Sequence, residues 1–157
     1  YINISVFMNF KEQVYKHYQQ LIDEKISLLS RTLNELKESS SNETKSTAGD
    51  KHETALAMLQ IEQENTGRQL KEALEQQLLF GKIDITIKTT YIIQGCLVKT
   101  NRGWLFLSIA PAKIKLADCT TVIALSPQSP LGKQLMGLKI KDAAEINNIR
   151  YVVEEIV

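Results

Sequence analysis

The chain has 157 residues, of which 43% are hydrophobic and 24% are charged, a composition typical of a folded protein and not of a disordered one. Its net charge of +1 argues against a protein that simply coats nucleic acid, and no apolar run in it is long enough to span a membrane. The two cysteines, Cys96 and Cys119, are too few and too far apart for a disulfide scaffold or a zinc site, so we expect a cytoplasmic protein.

The charge is divided unevenly between the two halves of the chain. Residues 1–80 carry nine basic and twelve acidic side chains, whereas residues 81–157 carry ten basic and six acidic ones. Such an asymmetry predicts two modules with different surfaces. At the beginning of the chain we expect Met8 to be the natural start, with residues 1–7 an extension or an artefact of the gene start.

The first predicted element is a helix over residues 10–37, which no glycine or proline interrupts. Its apolar residues recur at alternating steps of three and four, which is the pattern of a helix with a narrow, coiled-coil-like seam. The residues of this seam are Tyr15, Tyr18, Ile22, Ile26, Leu29, Leu33 and Leu36. The small polar residues of segment 38–49 then interrupt the pattern, and Gly49 permits a sharp turn.

A second helix is predicted over residues 50–79, with Gly81 as its end signal. The centre of its seam is polar, so this helix needs a partner, and the short connection makes the first helix the natural one. Residues 8–80 are therefore predicted to form an antiparallel coiled-coil hairpin. The predicted seam residues of the second helix are Leu56, Leu59, Gln63, Thr66 or Gly67, Leu70, Leu74 and Leu78.

Two acidic residues, Asp50 and Glu53, stand three residues apart where the second helix begins. In a capping box, Asp50 is the N-cap and Glu53 is at the third helical position, and each side chain accepts a hydrogen bond from a backbone N–H of the other. Alternatively, two carboxylates exposed at the tip of the hairpin could hold a divalent cation. The two roles are compatible.

After Gly81 the hydrophobic period changes from helical to two, which predicts strands. In one of these strands Trp104 and Phe106 alternate with leucines, so both of its faces are expected to lie in the core. The predicted strands are residues 82–88, two strands within 95–110 that a turn at 101–103 joins, and residues 120–125.

A short helix is predicted at residues 129–137, with Ser129 as its cap and Pro130 at its first position. The chain then closes as a hairpin that turns at residues 147–148. Residues 82–157 are thus predicted to form a small α+β domain on a mostly antiparallel sheet, and the fold class of the whole chain is α+β.

Three features of the chain together resemble one known family. A long helical hairpin precedes a small domain, and residues 49–54, GDKHET, place Gly-Asp two residues before a Glu at the tip. Residues 126–146 combine Ser-Pro, a short apolar helix, a glycine and a following strand with an Asp. This order and these motifs resemble the Gre transcript-cleavage factors, the bacterial elongation factors that act on RNA polymerase. The resemblance extends over about residues 10–156, nearly the whole chain.

The resemblance implies a transcription elongation factor that is not itself an enzyme but activates the nuclease activity of RNA polymerase. The hairpin would enter the secondary channel of the polymerase and place Asp50 and Glu53 beside the catalytic Mg²⁺, near the backtracked RNA. That metal would be shared with the polymerase, and the protein would have no cofactor of its own. The resemblance further implies a cytoplasmic monomer that contacts no membrane and touches nascent RNA only indirectly.

The resemblance also implies how the remainder of the chain is used. Residues 82–157 would be FKBP-like, as in the family, and the surface around Ser129, Pro130 and Lys133 would bind the polymerase at the channel rim. The resemblance thus implies that the basic residues 81–157 determine the affinity for the polymerase, whereas Asp50 and Glu53 at the tip determine RNA cleavage.

The chain departs from the family pattern at three positions. Thr54 stands where Asn is common, Ala57 stands where an aromatic residue is common, and Lys141 stands where Gly commonly precedes the Asp. A regulator that occupies the secondary channel and inhibits the polymerase without stimulating cleavage therefore remains an alternative. Two further alternatives are an FKBP-like isomerase or chaperone, which the aromatic content of 6% disfavours, and a structural coiled-coil adaptor.

Overall fold

The computed structural model of the chain describes residues 9–44 and 50–157. Two long helices come first, and a six-stranded mixed sheet with one short helix follows them, which confirms the predicted α+β class. The elements are α1 (Phe10–Thr44), α2 (Asp50–Gly81), β1 (Leu97–Thr100), β2 (Gly103–Leu107), β3 (Ala112–Lys115), β4 (Thr121–Leu125), α3 (Pro130–Leu135), β5 (Ala143–Ile146) and β6 (Ile149–Ile156). Among the described residues, no helix is both long and apolar enough to cross a membrane.

The α1 helix continues through Thr44, so the prediction that its helical pattern ends at residue 37 was wrong. Serine is a weaker helix former than alanine by only a fraction of a kcal/mol per residue, and packing against another helix overrides such small differences. Here the Ser40 hydroxyl accepts a hydrogen bond from the Gln63 side chain on α2. Residues 45–49, the remainder of the predicted linker, lie outside the described residues.

Leu21–Leu78 forms one compact unit, which we call the hairpin unit. Its two helices run antiparallel, because residues early in α1 contact residues late in α2. The Gln77 amide donates to the Asp23 carboxylate at 2.9 Å, and the Gln63 amide donates to the Leu36 carbonyl at 3.3 Å. The helical part of the predicted hairpin is therefore confirmed.

The seam of this hairpin was predicted correctly in α1 but only partly in α2. The predicted α1 residues are all buried or half-buried. In α2, however, the side chains of Leu74 and Leu78 are 42% and 68% exposed, while Ala73 is fully buried. Near the end of α2 the inward positions are thus taken by Ala73 and Phe80, and the two leucines stay at the surface. A helix with 3.6 residues per turn drifts relative to a strict heptad, which is why the extrapolated seam failed there.

Residues 9–20 and 79–157 form the second compact unit, which we call the sheet unit. Its strand order is β3-β4-β2-β1-β6-β5. The β2 and β4 strands pair in parallel, and the other four pairs are antiparallel. The predicted hairpin between β5 and β6 is confirmed: Asn147 and Asn148 have φ angles of 52° and 64°, which a type I′ turn requires and which Asn tolerates.

Both faces of the sheet are covered within the sheet unit, as the alternation in β2 predicted. On one face, residues such as Leu105, Leu107 and Val153 pack with Leu135 of α3. On the opposite face, Phe106 lies beside Tyr18 of α1, with ring centroids 6.1 Å apart. The first turns of α1 therefore complete the core of the sheet unit.

Two details of the sheet unit contradict the predicted strands. Residues 82–88 are not a strand, because the Asp84 carboxylate accepts hydrogen bonds from the backbone N–H and the hydroxyl of Thr86, which turns the chain. The β3 strand was not predicted. The grouping of residues 9–20 with the sheet also differs from the predicted division into residues 8–80 and 82–157.

Candidate functional site

The tip of the hairpin unit carries the first candidate site. The α2 helix begins at Asp50, as predicted, and Glu53 follows with an exposed side chain. Glu53 lies about 15 Å along α2 beyond Gln63, which contacts α1. The side chain of Asp50, and with it the predicted capping pair, lies outside what the structure describes.

A pair of carboxylates offers hard oxygen ligands of the kind that Mg²⁺ prefers. Among the residues whose side chains the structure describes, three or more His, Cys, Asp or Glu groups nowhere converge on one point. An octahedral ion bound by one or two carboxylates leaves most of its shell to water or to another macromolecule. Two carboxylates alone therefore supply only part of such a shell.

The second candidate site is α3, which contains the predicted partner-binding residues. Ser129 is the N-cap of this helix: its hydroxyl accepts a hydrogen bond from the Gly132 N–H at 3.1 Å and donates one to the Ser126 carbonyl at 2.6 Å. Pro130 occupies the first helical position, as predicted, and both Pro130 and Lys133 are exposed. The Ser129 hydroxyl is thus already used within the fold, while Pro130 and Lys133 are available to a partner.

The start of α3 packs so closely on the preceding loop that Gly132 has no room for a side chain. A Cβ atom at this position would lie 2.0 Å from the Ser126 carbonyl oxygen, which is far inside van der Waals contact. The serines and the glycine of segment 126–132 therefore form one interlocked cap that fixes where Pro130 and Lys133 are presented.

Gly132→Ala is expected to lower the free energy of unfolding by about 3 kcal/mol, because the added methyl group must displace backbone. Urea unfolding at equilibrium measures this loss. Lys133→Ala on the same helix is the matched control, and we expect it to stay within about 0.5 kcal/mol of the parent, since Lys133 is exposed. Equal stabilities of the glycine variant and the parent would contradict the interlocked cap.

An open cavity of about 320 Å³ lies beside α3. Its walls are largely apolar, and segment 126–128 of the same loop forms one of them. A cavity of this size accepts one or two side chains of a partner protein. The residues that line it are Leu79, Gln94, Ile109, Ser126, Pro127, Gln128 and Met136.

Lys141 is the most informative of the three departures from the family pattern. Its φ angle is +79°, a left-handed conformation that glycine adopts freely and that lysine adopts only under strain. The backbone at this position therefore has the shape that favours glycine, although the residue is lysine. Its N–H donates to the Val153 carbonyl at 2.8 Å, which holds the turn in place.

Sequence reasoning missed one residue of chemical interest, Lys11. This lysine is only 6% exposed, which is unusual for a side chain that carries a charge. The signal was present, because Lys11, Val14 and Tyr18 follow the helical spacing of one buried face of α1. A lysine at the end of such a face ordinarily extends into solvent.

No protein-family model, curated protein or solved structure matches this chain. The similarity to the Gre factors accordingly depends on the tip motif, the α3 segment and the order of the elements.

Proposed function

We propose that the protein is a transcription elongation factor that binds RNA polymerase through its secondary channel and stimulates cleavage of backtracked RNA. The observation that carries the proposal is an antiparallel hairpin whose second helix begins with Asp50 and the exposed Glu53. Along α2, Glu53 is about 38 Å from Leu78. A rod of that length can deliver carboxylates deep into a narrow channel.

In the proposed mechanism, Asp50 and Glu53 hold a Mg²⁺ ion jointly with the polymerase. When bound, that metal lowers the pKa of a coordinated water and stabilises the negative charge that develops on the scissile phosphate. The hairpin contributes the placement of the two carboxylates. Its cross-helix hydrogen bonds from Gln63 and Gln77 support this role, because they keep α2 in register with α1.

We further propose that α3 binds the polymerase at the rim of the channel. The exposed Pro130 and Lys133 and the adjacent cavity support this assignment, whereas Ser129 acts by capping α3. The sheet unit would then be an FKBP-like docking module, and its sheet would carry no catalytic residue.

A cleavage assay on purified, backtracked polymerase complexes tests the proposal. Adding the protein is expected to shorten the nascent RNA from its 3′ end in a manner that requires Mg²⁺. If the RNA stays intact while elongation slows, the protein is instead a channel inhibitor, the alternative that Thr54 and Ala57 leave open. If neither cleavage nor elongation changes, the proposed function is wrong.

The free protein is expected to bind Mg²⁺ only very weakly, with a dissociation constant of about 1 mM or higher, because two tip carboxylates leave most of the octahedral shell to water. Isothermal titration calorimetry of the protein without polymerase measures this affinity. Tight binding of one equivalent would contradict a site that is completed by the polymerase.

A further inference from the structure

The eight residues that precede Asn9 are mostly apolar and carry no charged side chain. Their sequence is YINISVFM, of which six residues are hydrophobic. Ile2, Ile4 and Val6 alternate with two polar residues, a pattern typical of a segment that buries one of its faces. Such a face gains free energy when an apolar surface covers it. The sequence of this segment therefore favours contact with an apolar surface.

A cavity of about 290 Å³ lies within the sheet unit where this segment joins α1, and Asn9 and Glu12 line it. These two residues hold each other: the Asn9 side chain accepts a hydrogen bond from the Glu12 N–H at 2.8 Å, and the Glu12 carboxylate accepts one from the Asn9 N–H at 3.3 Å. This capping box fixes Asn9 in the cavity wall. Because Met8 is bonded to Asn9, the segment starts at the cavity, and eight residues span at most about 28 Å, enough to cross it.

The apolar part of the cavity wall comes from two other places in the chain. Ile85 and Ile87 follow α2, and Val157 follows β6. Ile87 is 47% exposed and Val157 is 44% exposed, whereas Ile85 is half-buried. The cavity thus presents exposed aliphatic side chains beside the residue at which an apolar segment begins.

The charged side chains around the cavity do not favour a charged occupant. Lys11 and Lys88 line it together with Glu12, and the charge of Asp84 also acts on Lys11, so two positive groups face two negative ones. Lys88 and Glu12 are exposed, and their charged ends stay in water when the cavity is filled. Lys11 is already only 6% exposed, so a cover removes little more water from it. An uncharged occupant fits this wall better than an acidic or a basic one.

We propose that residues 1–8 dock in this cavity of their own chain, where their alternating aliphatic face covers Ile87 and Val157. The covalent link selects this occupant over a partner protein, because a segment tethered directly at Asn9 has an effective concentration of about a millimolar or more. Residues 1–7 would then belong to the sheet unit and would not be an extension or an artefact of the gene start. The proposal does not rest on the proposed function.

Methyl NMR of the full chain tests the docking directly. We expect nuclear Overhauser cross-peaks that connect the methyl groups of Ile2, Ile4 or Val6 with those of Ile87 or Val157. A sample that mixes differently labelled copies separates contacts within one chain from contacts between chains. Cross-peaks that arise only between copies, cross-peaks to other surfaces alone, or no cross-peaks from the segment would each overturn the proposal.

Removing residues 1–7 is expected to lower the Tm by about 4 °C, because the cavity loses its cover. Ile4→Glu in the full chain should lower the Tm by a similar amount, since it places a charge on the apolar face. Ser5→Glu is the matched control: it adds the same charge at the next position, whose side chain points to the opposite face, and its Tm should stay within about 1 °C of the parent. Equal Tm values for Ile4→Glu and Ser5→Glu would show that the alternating face is not buried.

Ile87→Ser tests whether the segment and the cavity act on each other. It should lower the Tm of the full chain by about 3 °C and have little further effect in the chain without residues 1–7, since Ile87 then has no cover to lose. Ile140→Ser is the control, because Ile140 is 51% exposed and lies outside the cavity, and it should have the same effect in both chains. If Ile87→Ser lowers the Tm equally in both chains, the segment does not cover Ile87 and the proposal is wrong. These measurements contain no polymerase, so their failure leaves the cleavage assay unaffected.

Discussion

Replacing both Asp50 and Glu53 by alanine is expected to reduce stimulated RNA cleavage by about a hundredfold or more and to leave polymerase binding nearly unchanged. The loss follows from removing both protein-derived ligands of a shared metal, since changes in the shell around a bound metal already cost 10- to 100-fold. Binding should survive because the proposed docking residues, Pro130 and Lys133, are in α3. The measurement pairs a cleavage time course with a binding titration on the same polymerase preparation.

Two controls distinguish charge from helix capping and from overall acidity. Asn is as good an N-cap as Asp, so Asp50→Asn should lose cleavage while its thermal stability stays close to that of the parent. Glu62→Ala removes an acidic side chain from an exposed position elsewhere on α2 and should cleave like the parent. Normal cleavage by the double alanine variant would show that the tip does not carry the metal.

The helices were predictable from sequence because a repeated apolar seam specifies both the helix and its partner. The seam of α1, from Tyr15 to Leu36, is buried or half-buried throughout. Two helix predictions failed: the residue at which α1 ends and the inward-facing positions near the end of α2. The end of α1 depends on the contact between Ser40 and Gln63, and the last inward positions of α2 depend on Ala73 and Phe80 rather than on its leucines.

As with the helices, local sequence patterns predicted most of the strands, but tertiary contacts determined where a pattern failed. The β1, β2, β4, β5 and β6 strands were predictable because alternation or a turn signal marks each of them. Residues 82–88 alternate equally well, yet two hydrogen bonds from Thr86 to the Asp84 carboxylate turn the chain, and among the described residues no strand pairs with them. A periodic pattern indicates which face a strand would bury, but it does not supply the neighbouring strand.

The candidate sites differ in how far the sequence could identify them. Ser129 and Pro130 follow a local capping rule, so their positions in α3 were predictable and are confirmed. The assignment of Asp50 and Glu53 to a metal came from the tip motif and stays a prediction. Lys11 was missed although its helical spacing with the buried Val14 and Tyr18 was visible in the sequence, because a lysine at the end of such a face ordinarily extends into solvent.

Deleting the hairpin unit is expected to separate docking from cleavage. In this variant a short flexible linker joins Gln20 to Leu79, so the sheet unit keeps residues 9–20. The rings of Tyr18 and Phe80, which flank the junction, have centroids 4.7 Å apart, and the rings of Phe10 and Trp104 have centroids 4.9 Å apart. Because these contacts cover one face of the sheet, the variant should fold, as far-ultraviolet circular dichroism and cooperative unfolding would show.

Residues 82–157 alone make the informative comparison for this variant. That fragment lacks Val14, Tyr18 and Phe80, which are all buried in the full chain, and it therefore exposes Phe106. Loss of a single large apolar contact costs about 3 kcal/mol, so we expect the fragment to be much less stable than the hairpin-deleted variant.

The hairpin-deleted variant should compete with the full-length protein for RNA polymerase and should leave backtracked RNA uncleaved. Competition is expected because α3, its interlocked cap at Gly132 and the adjacent cavity all belong to the sheet unit. Cleavage is expected to be lost because Asp50 and Glu53 leave with the hairpin. The competition assay titrates the variant against labelled full-length protein bound to polymerase, with Lys133→Glu in the same background as the matched control for docking through α3. A variant that folds cooperatively but never displaces the full-length protein would show that the hairpin supplies the affinity, and α3 would then have to be abandoned as the docking surface.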